Sequence, residues 1–185
     1  MKLNAQELRQ VDESEIQEKL KQIKRRPMYL ILENIYDTYN IGGLFRLADA
    51  LAIEKMYLCG QTEIPPNPKI KKASIGTYKI VPWEYKKTAK EAIEDLRACN
   101  AEFISGSKNH PISIIAVEQD ARSVPYTKVE YTEPLALLVG NETYGVLPET
   151  LDLVDKIVEI PMWGVNKSLN VIVSAAIVSY HICCL

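Results

Sequence analysis

The sequence predicts an α/β fold, a mostly parallel sheet flanked by helices, and three observations carry that prediction. Residues 28–32 are an apolar run of strand length and 55–59 read as a second strand, on either side of a helix-length pattern at 41–52, where Ile41, Leu44, Phe45, Ala48 and Leu51 recur at helical spacing. A strand, a crossover helix and a second strand make a parallel pair. Residues 135–139 are apolar at every position, as a strand covered on both faces must be. Strand-like and helix-like segments then keep alternating to the C-terminus, which is the arrangement of an α/β sheet rather than of separate α and β layers.

At 185 residues, 25% charged and 47% apolar, the chain has material for one well-buried domain. Residues 1–27 read as a helical extension: Ser14 with Gln17 makes a capping box, Ile16, Leu20 and Ile23 a narrow apolar stripe, and Pro27 a stop. Lys19, Lys21, Lys24, Arg25 and Arg26 gather at its end, where cations suit the helix dipole or form a patch for RNA phosphate. The domain proper spans 28–185. After its first strand comes a polar loop, with Asn40 as the expected N-cap of the crossover helix and with Arg46 and Asp49 off that helix's core face. Residues 60–79 contain Pro65-Pro66-Asn67-Pro68 and then Lys69, Lys71 and Lys72. They read as an irregular basic loop that is either merely solvated or touches RNA backbone. Ile80-Val81 reads as a short strand, 88–98 as an amphipathic helix, 100–111 as a loop and 112–117 as a strand. Beyond 135–139 stand the turn Gly140-Asn-Glu-Thr-Tyr-Gly145, a short helix opened by Pro148, and a strand at 157–160 that Pro161 ends. Ser168 is the expected cap of a last helix reaching about His181. Residues 171–184 hold no charge, so that helix is expected to be buried all round.

Several function classes are excluded. A net charge of −2 supplies no global basic field, so any RNA must be held by a local patch. Four cysteines without CxxC spacing and two histidines make neither a disulfide framework nor a zinc site, which predicts a reduced, metal-free, cytoplasmic protein. With no leader and no apolar run of spanning length, no membrane is expected as partner. Residues 140–145 have the gap of a phosphate loop, but Val146-Leu147 stand where Lys and Ser/Thr are required. No GxGxxG opens the first βαβ unit and no GxSxG elbow is present. Three loops remain, at 34–46, 140–145 and 161–170, each at the C-terminal end of a predicted strand, where parallel sheets carry their sites.

Together the three loops resemble the SpoU/TrmH family of RNA 2′-O-ribose methyltransferases, within the SPOUT superfamily. The first motif stands as Asn34-(5)-Asn40-Ile-Gly-Gly-Leu-Phe-Arg46, the second as Gly140-Asn-Glu-Thr-Tyr-Gly145 and the third as Ile160-Pro-Met-(5)-Ser168-Leu-Asn170. The likeness covers residues 28–183 or so. It implies S-adenosyl-L-methionine as cofactor and a deep trefoil knot closed by the C-terminal helix. It also implies a homodimer in which catalytic groups of one subunit face the cofactor of the other. By motif position, Asn40, Arg46, Glu142, Ser168 and Asn170 match the catalytic and RNA-lining places. Gly140, Asn141, Ile160, Pro161, Met162, Ser168 and Leu169 match those that hold the cofactor. Local readings stay open beside these: Asn40 as a helix cap, Glu142 as partner of a lysine or of loop backbone, and Arg46 as a surface ion pair with Asp49. Tyr144 stands where the family often has arginine, and Ile172 where a small polar residue is usual. The implied activity is methylation of a ribose 2′-hydroxyl in structured RNA. Transfer RNA is favoured over ribosomal RNA, because the first motif looks like that of the tRNA guanosine enzymes and the extension is short. The alternatives are a ribosomal RNA enzyme of the same family and a non-catalytic, cofactor-binding RNA module.

Overall fold

Seven strands form one wholly parallel sheet in the computed structural model, which describes residues 2–10, 20, 23–104 and 111–184. In chain order the strands are β1 Arg26–Glu33, β2 Ile53–Cys59, β3 Trp83–Lys86, β4 Ser113–Val117, β5 Val124–Pro125, β6 Leu135–Val139 and β7 Lys156–Glu159. The helices are α1 Ala5–Gln10, α2 Thr38–Ala50, α3 Pro68–Ser74, α4 Ala89–Ile104, α5 Pro148–Leu151 and α6 Val171–Cys183. Across the sheet the order is β3-β2-β1-β6-β4-β7-β5, so the chain leaves β1 in one direction and later returns to lay β6 against its other edge.

Period-two alternation assigns β1 to two cores. Met28, Leu30 and Leu32 pack with α2, α3 and α6 on one face, while Ile31 packs with α4 and α5 on the other. Leu30 stands opposite both Met56 and Leu137, all fully buried, which is why the run lacks polar residues.

Several expectations are corrected by local chemistry. The cap of α2 is Asp37, whose carboxylate accepts from Tyr39 N at 2.8 Å; Asn40 lies inside the first turn and is free for another task. Residues 60–79 are not irregular throughout. Asn67 accepts from Lys69 N and Ile70 N, and Pro68 occupies the first helical position, so α3 forms, followed by a 3-10 turn at Thr77–Lys79. Ile80-Val81 is not a strand; the pairing falls on Trp83–Lys86, opposite β2. The amphipathic helix α4 runs on through part of the expected 100–111 loop. The cap of α6 is Asn170, which accepts from Ile172 N at 2.9 Å, not Ser168.

Pro27 sits inside β1, where the register is irregular, rather than closing a helix. Arg25 donates to Ile53 O and Ile80 O, and Arg26 pairs with Glu133 at 3.0 Å, so two of the expected phosphate-binding cations are tied into the sheet. Asn4 and Glu7 cap α1 reciprocally. The expected Ser14–Gln17 capping box lies outside the described residues.

Two adjacent glycines set how α2 is packed. A β-carbon on Gly42 would lie 2.4 Å from Cβ of Ala73 in α3, and one on Gly43 would lie 2.4 Å from Cδ1 of Ile172 in α6. α2 is therefore gripped on two sides at its first turns, and Ile172 acts there in packing. The uncharged helix α6 is not covered all round: Val171, Ala175, Val178, Ser179 and Ile182 are buried, but Val173 and Tyr180 are 44% and 48% exposed.

Candidate active site

Because every strand runs the same way, the C-terminal ends of β1, β4, β6 and β7 share one edge of the sheet. A cavity of about 500 Å³ opens there. Its walls come from the end of β4 (Val117, Glu118, Gln119), the loop after β6 (Val139 to Gly145), and the segment from Glu159 past β7 to the start of α6.

The loop after β6 is built by closing on itself. Asn141 and Gly145 exchange backbone hydrogen bonds of 3.0 and 2.9 Å. The buried Asn141 side chain accepts from Thr143 N and Tyr144 N and donates to Asn34 O at 2.7 Å. A β-carbon on Gly140 would come within 2.3 Å of Gly145 C and Val146 N. Glycine is required here because the loop's own backbone approaches, a nearer constraint than the bound ligand that the sequence suggests. Two carboxylates hold the loop's exit: Glu118 accepts from Val146 N at 2.9 Å, and Glu33 from Leu147 N at 2.9 Å and from the Thr150 hydroxyl at 2.6 Å. Glu33 is 3% exposed, and burial pushes its carboxyl above the usual carboxylate range against the lowering pull of Thr150 and Leu147.

The three motif loops meet in one hydrogen-bond chain. Asn40 Nδ2 donates to Glu142 Oε1 at 2.8 Å, and Asn170 Nδ2 donates to Asn40 Oδ1 at 3.0 Å. Of the open readings, Asn40 is thus a crosslink and not a cap, and among the described residues Glu142 pairs with neither lysine nor loop backbone but with that amide. Gly140, Asn141, Glu142, Ile160, Met162, Ser168, Leu169 and Asn170 all line the cavity. Pro161 does not line it, and Asn40 reaches it only through its two partners. Arg46 is exposed, lies outside the cavity wall, and makes no hydrogen bond or ion pair among the described residues. The expected pair with Asp49 does not form; Asp49 feels Arg25 instead, while burial raises its carboxyl.

Glu118, Gln119, Glu159 and Ser174 also line the cavity and were not singled out as site residues from the sequence, although Ser174 was noticeable as a polar group in an uncharged helix. The residues after β4 carry no glycine or asparagine signal, so only the parallel direction of that strand could have pointed to them.

The SpoU rRNA methylase family matches residues 27–180. The chain belongs to this family. The tRNA (guanosine(18)-2′-O)-methyltransferase of Thermus thermophilus is 30% identical over 159 residues, 85% of this chain and 75% of that one. Its namesake in Aquifex aeolicus is 29% identical over 164 residues, 85% of this chain and 69% of that one. The SpoU methyltransferase AviRb of Streptomyces viridochromogenes, solved with AdoMet, superposes with a TM-score of 0.74 at 25% identity, over 86% of this chain and 58% of its own. This chain thus spans less than two thirds of AviRb. The relatives are named as RNA 2′-O-methyltransferases, and the cofactor solved with AviRb is S-adenosylmethionine.

The SpoU cavity fits that cofactor by the chemistry of its walls. Glu118, Glu142 and Glu159 line it, and among the described residues no lysine, arginine or histidine does. Such a wall favours a ligand bearing sulfonium and ammonium charges and repels a dinucleotide's diphosphate. Ile160, Met162, Leu169 and Val171 add apolar surface suited to a purine, and the volume lies within the range of about 300–1,000 Å³ common to ligand sites. Among the described residues no cluster of His, Cys, Asp and Glu suits a metal ion, and no helix is long and apolar enough to cross a membrane.

Proposed function

We propose that this SpoU methylase modifies a ribose 2′-hydroxyl in transfer RNA and works as a homodimer. The observation that carries the reading is the chain from Asn40 through Glu142 to the cavity, closed by Asn170. The bound cofactor supplies an already activated sulfonium methyl. What the protein adds is alignment and charge control. Asn40 and Asn170 hold Glu142 at the cavity mouth, where the carboxylate's second oxygen can accept from a ribose hydroxyl and turn the 2′-oxygen in line with the methyl. The preference for tRNA over ribosomal RNA is supported by relatives named as tRNA enzymes at 29% and 30% identity; a Bacillus subtilis enzyme named for 23S rRNA is 28% identical.

Arg46 completes the proposal from a second protomer. Its guanidinium is exposed and has no partner among the described residues of its own chain. α6 offers an uncharged face bearing Val173 and Tyr180, which suits burial against a copy of itself. Facing another subunit's cavity, the guanidinium of Arg46 stabilises the charge that develops on the 2′-oxygen as its proton passes to water. α6 also folds back across α2 and β6, a return consistent with the knot that the family resemblance implies.

The test uses unmodified tRNA transcripts and mass-spectrometric mapping of 2′-O-methyl groups. A single methylated ribose is expected, with Arg46→Ala about 10²–10³ slower at unchanged S-adenosylmethionine affinity. Mixing Arg46→Ala with Glu142→Ala, each strongly impaired alone, regains activity in mixed dimers that hold one intact site. Absence of recovery in proven mixed dimers would place Arg46 in its own chain's site, and methylation of ribosomal RNA alone would overturn the tRNA assignment.

A further inference from the structure

The lysine side chains of α3 have no partner among the described residues. Lys69, Lys71 and Lys72 are exposed, α3 contains no acidic residue, and none of their three ammonium groups makes a hydrogen bond or ion pair among the described residues. By contrast, Arg25, Arg26, Arg97 and Arg122 are each committed to carbonyls or carboxylates. In a chain of net charge −2, three uncompensated cations on two turns of helix are a local positive field.

Their place in the fold gives that field a direction. α3 is seated on α2 where Ala73 and Ser74 meet Gly42, and Arg46 follows one turn further along α2. Asn40, two residues before Gly42, is bonded to the cavity residues Glu142 and Asn170. The stretch from Asn40 to Arg46 rises only about 9 Å along the helix axis. Tyr39, 53% exposed, stands two turns before Arg46 on the same side of α2 and presents an aromatic ring. Cations beside an exposed ring fit a nucleic-acid strand, whose phosphates take the charges and whose bases stack.

We infer that Lys69, Lys71 and Lys72 form, beside Arg46 and Tyr39, a ridge that holds the RNA phosphodiester backbone next to the reacting ribose. The inference rests on the reading of the chain as an enzyme of structured RNA and adds where that RNA lies. Gly42 is the device that makes the ridge, since any larger residue would push α3 away from α2.

Binding of an unmodified tRNA transcript, followed by fluorescence anisotropy across a salt series, tests it. Each phosphate neutralised contributes about 0.7–0.9 to the slope of log affinity against log salt. The triple variant Lys69→Gln, Lys71→Gln, Lys72→Gln should flatten that slope by about 2 and weaken binding at least about tenfold at low salt. Its S-adenosylmethionine affinity and melting temperature should match the wild type, and Lys→Arg at the three positions should keep slope and affinity. A control, Lys90→Gln with Lys128→Gln, removes charges from the opposite helical layer and the far sheet edge and should leave the slope unchanged. An unaltered slope in the triple variant, or an equal loss in the control, would overturn the ridge while leaving the enzyme reading intact. A wild type that methylates and binds no structured RNA would overturn that reading and the ridge with it.

Discussion

The two loops that face each other across the cavity are built in opposite ways. The one at 140–147 has its backbone pinned by the protein: Asn141 bridges four residues, Glu118 and Glu33 take the exit amides, and Gly140 lets the turn close on itself. The one at 161–170 is open. Residues 163–170 are all exposed, with Trp163 and Val165 at 91% and 103%, and the segment is tethered chiefly by Gln119 to Lys167 O and by Asn170 to Asn40. One wall of the site is therefore part of the fold, whereas the other has little to hold it until a ligand or a second subunit arrives. A site of this kind has one surface organised in advance and one that responds to binding.

The contrast can be broken most severely at Gly140. Gly140→Val drives a side chain into Gly145 and Val146 and should destabilise the fold by about 3 kcal/mol, with S-adenosylmethionine binding lost; denaturant titration and calorimetry measure both. Next comes Asn141→Ala, which strips two amides and the Asn34 carbonyl of their partner in a buried place. About 2 kcal/mol of stability should go, and a wild-type melting temperature would mean the loop closes without this side chain.

Glu33 sharpens the comparison through pH. Its folded-state value is raised by burial, so it supports the fold below its unfolded value, about 4.3, and that support is lost as pH rises through the folded value. Glu33→Gln stays neutral throughout. The melting temperature of the variant relative to wild type should therefore rise between about pH 4 and neutrality. A constant difference would show that the carboxylate is ionised in the fold without penalty. The smallest effect belongs to the open loop: Trp163→Ala should change unfolding free energy by less than about 0.5 kcal/mol, since the ring touches little of its own chain. A loss near that of Asn141→Ala would mean the two loops are not so different.

Much of the fold was legible because its signals are local. The apolar runs at 28–32 and 135–139 and the strand pattern at 55–59 became β1, β6 and β2, and the crossover pattern became α2, because burial on two sheet faces leaves little room for polar residues. Caps were harder to read. Asp37 competes with Asn40 and Asn170 with Ser168 within a few residues, and either side chain of each pair can accept an amide. α3 hid behind its prolines, although Asn67-Pro68 is itself a helix start.

By itself the sequence determined the parallel α/β class, the three loops at strand ends and the residue types placed on them, because period, turn chemistry and apolar content act over a few residues. Only the tertiary structure decided that Asn40, Glu142 and Asn170, up to 130 positions apart, join in one hydrogen-bond chain, and that Arg46 stays outside the cavity. It also decided that Gly42 and Gly43 admit two helices, and that Glu118 and Glu159 make the wall acidic. Those facts depend on strand order and helix crossing, and no local pattern in the chain encodes which distant groups a crossing will bring within hydrogen-bond reach.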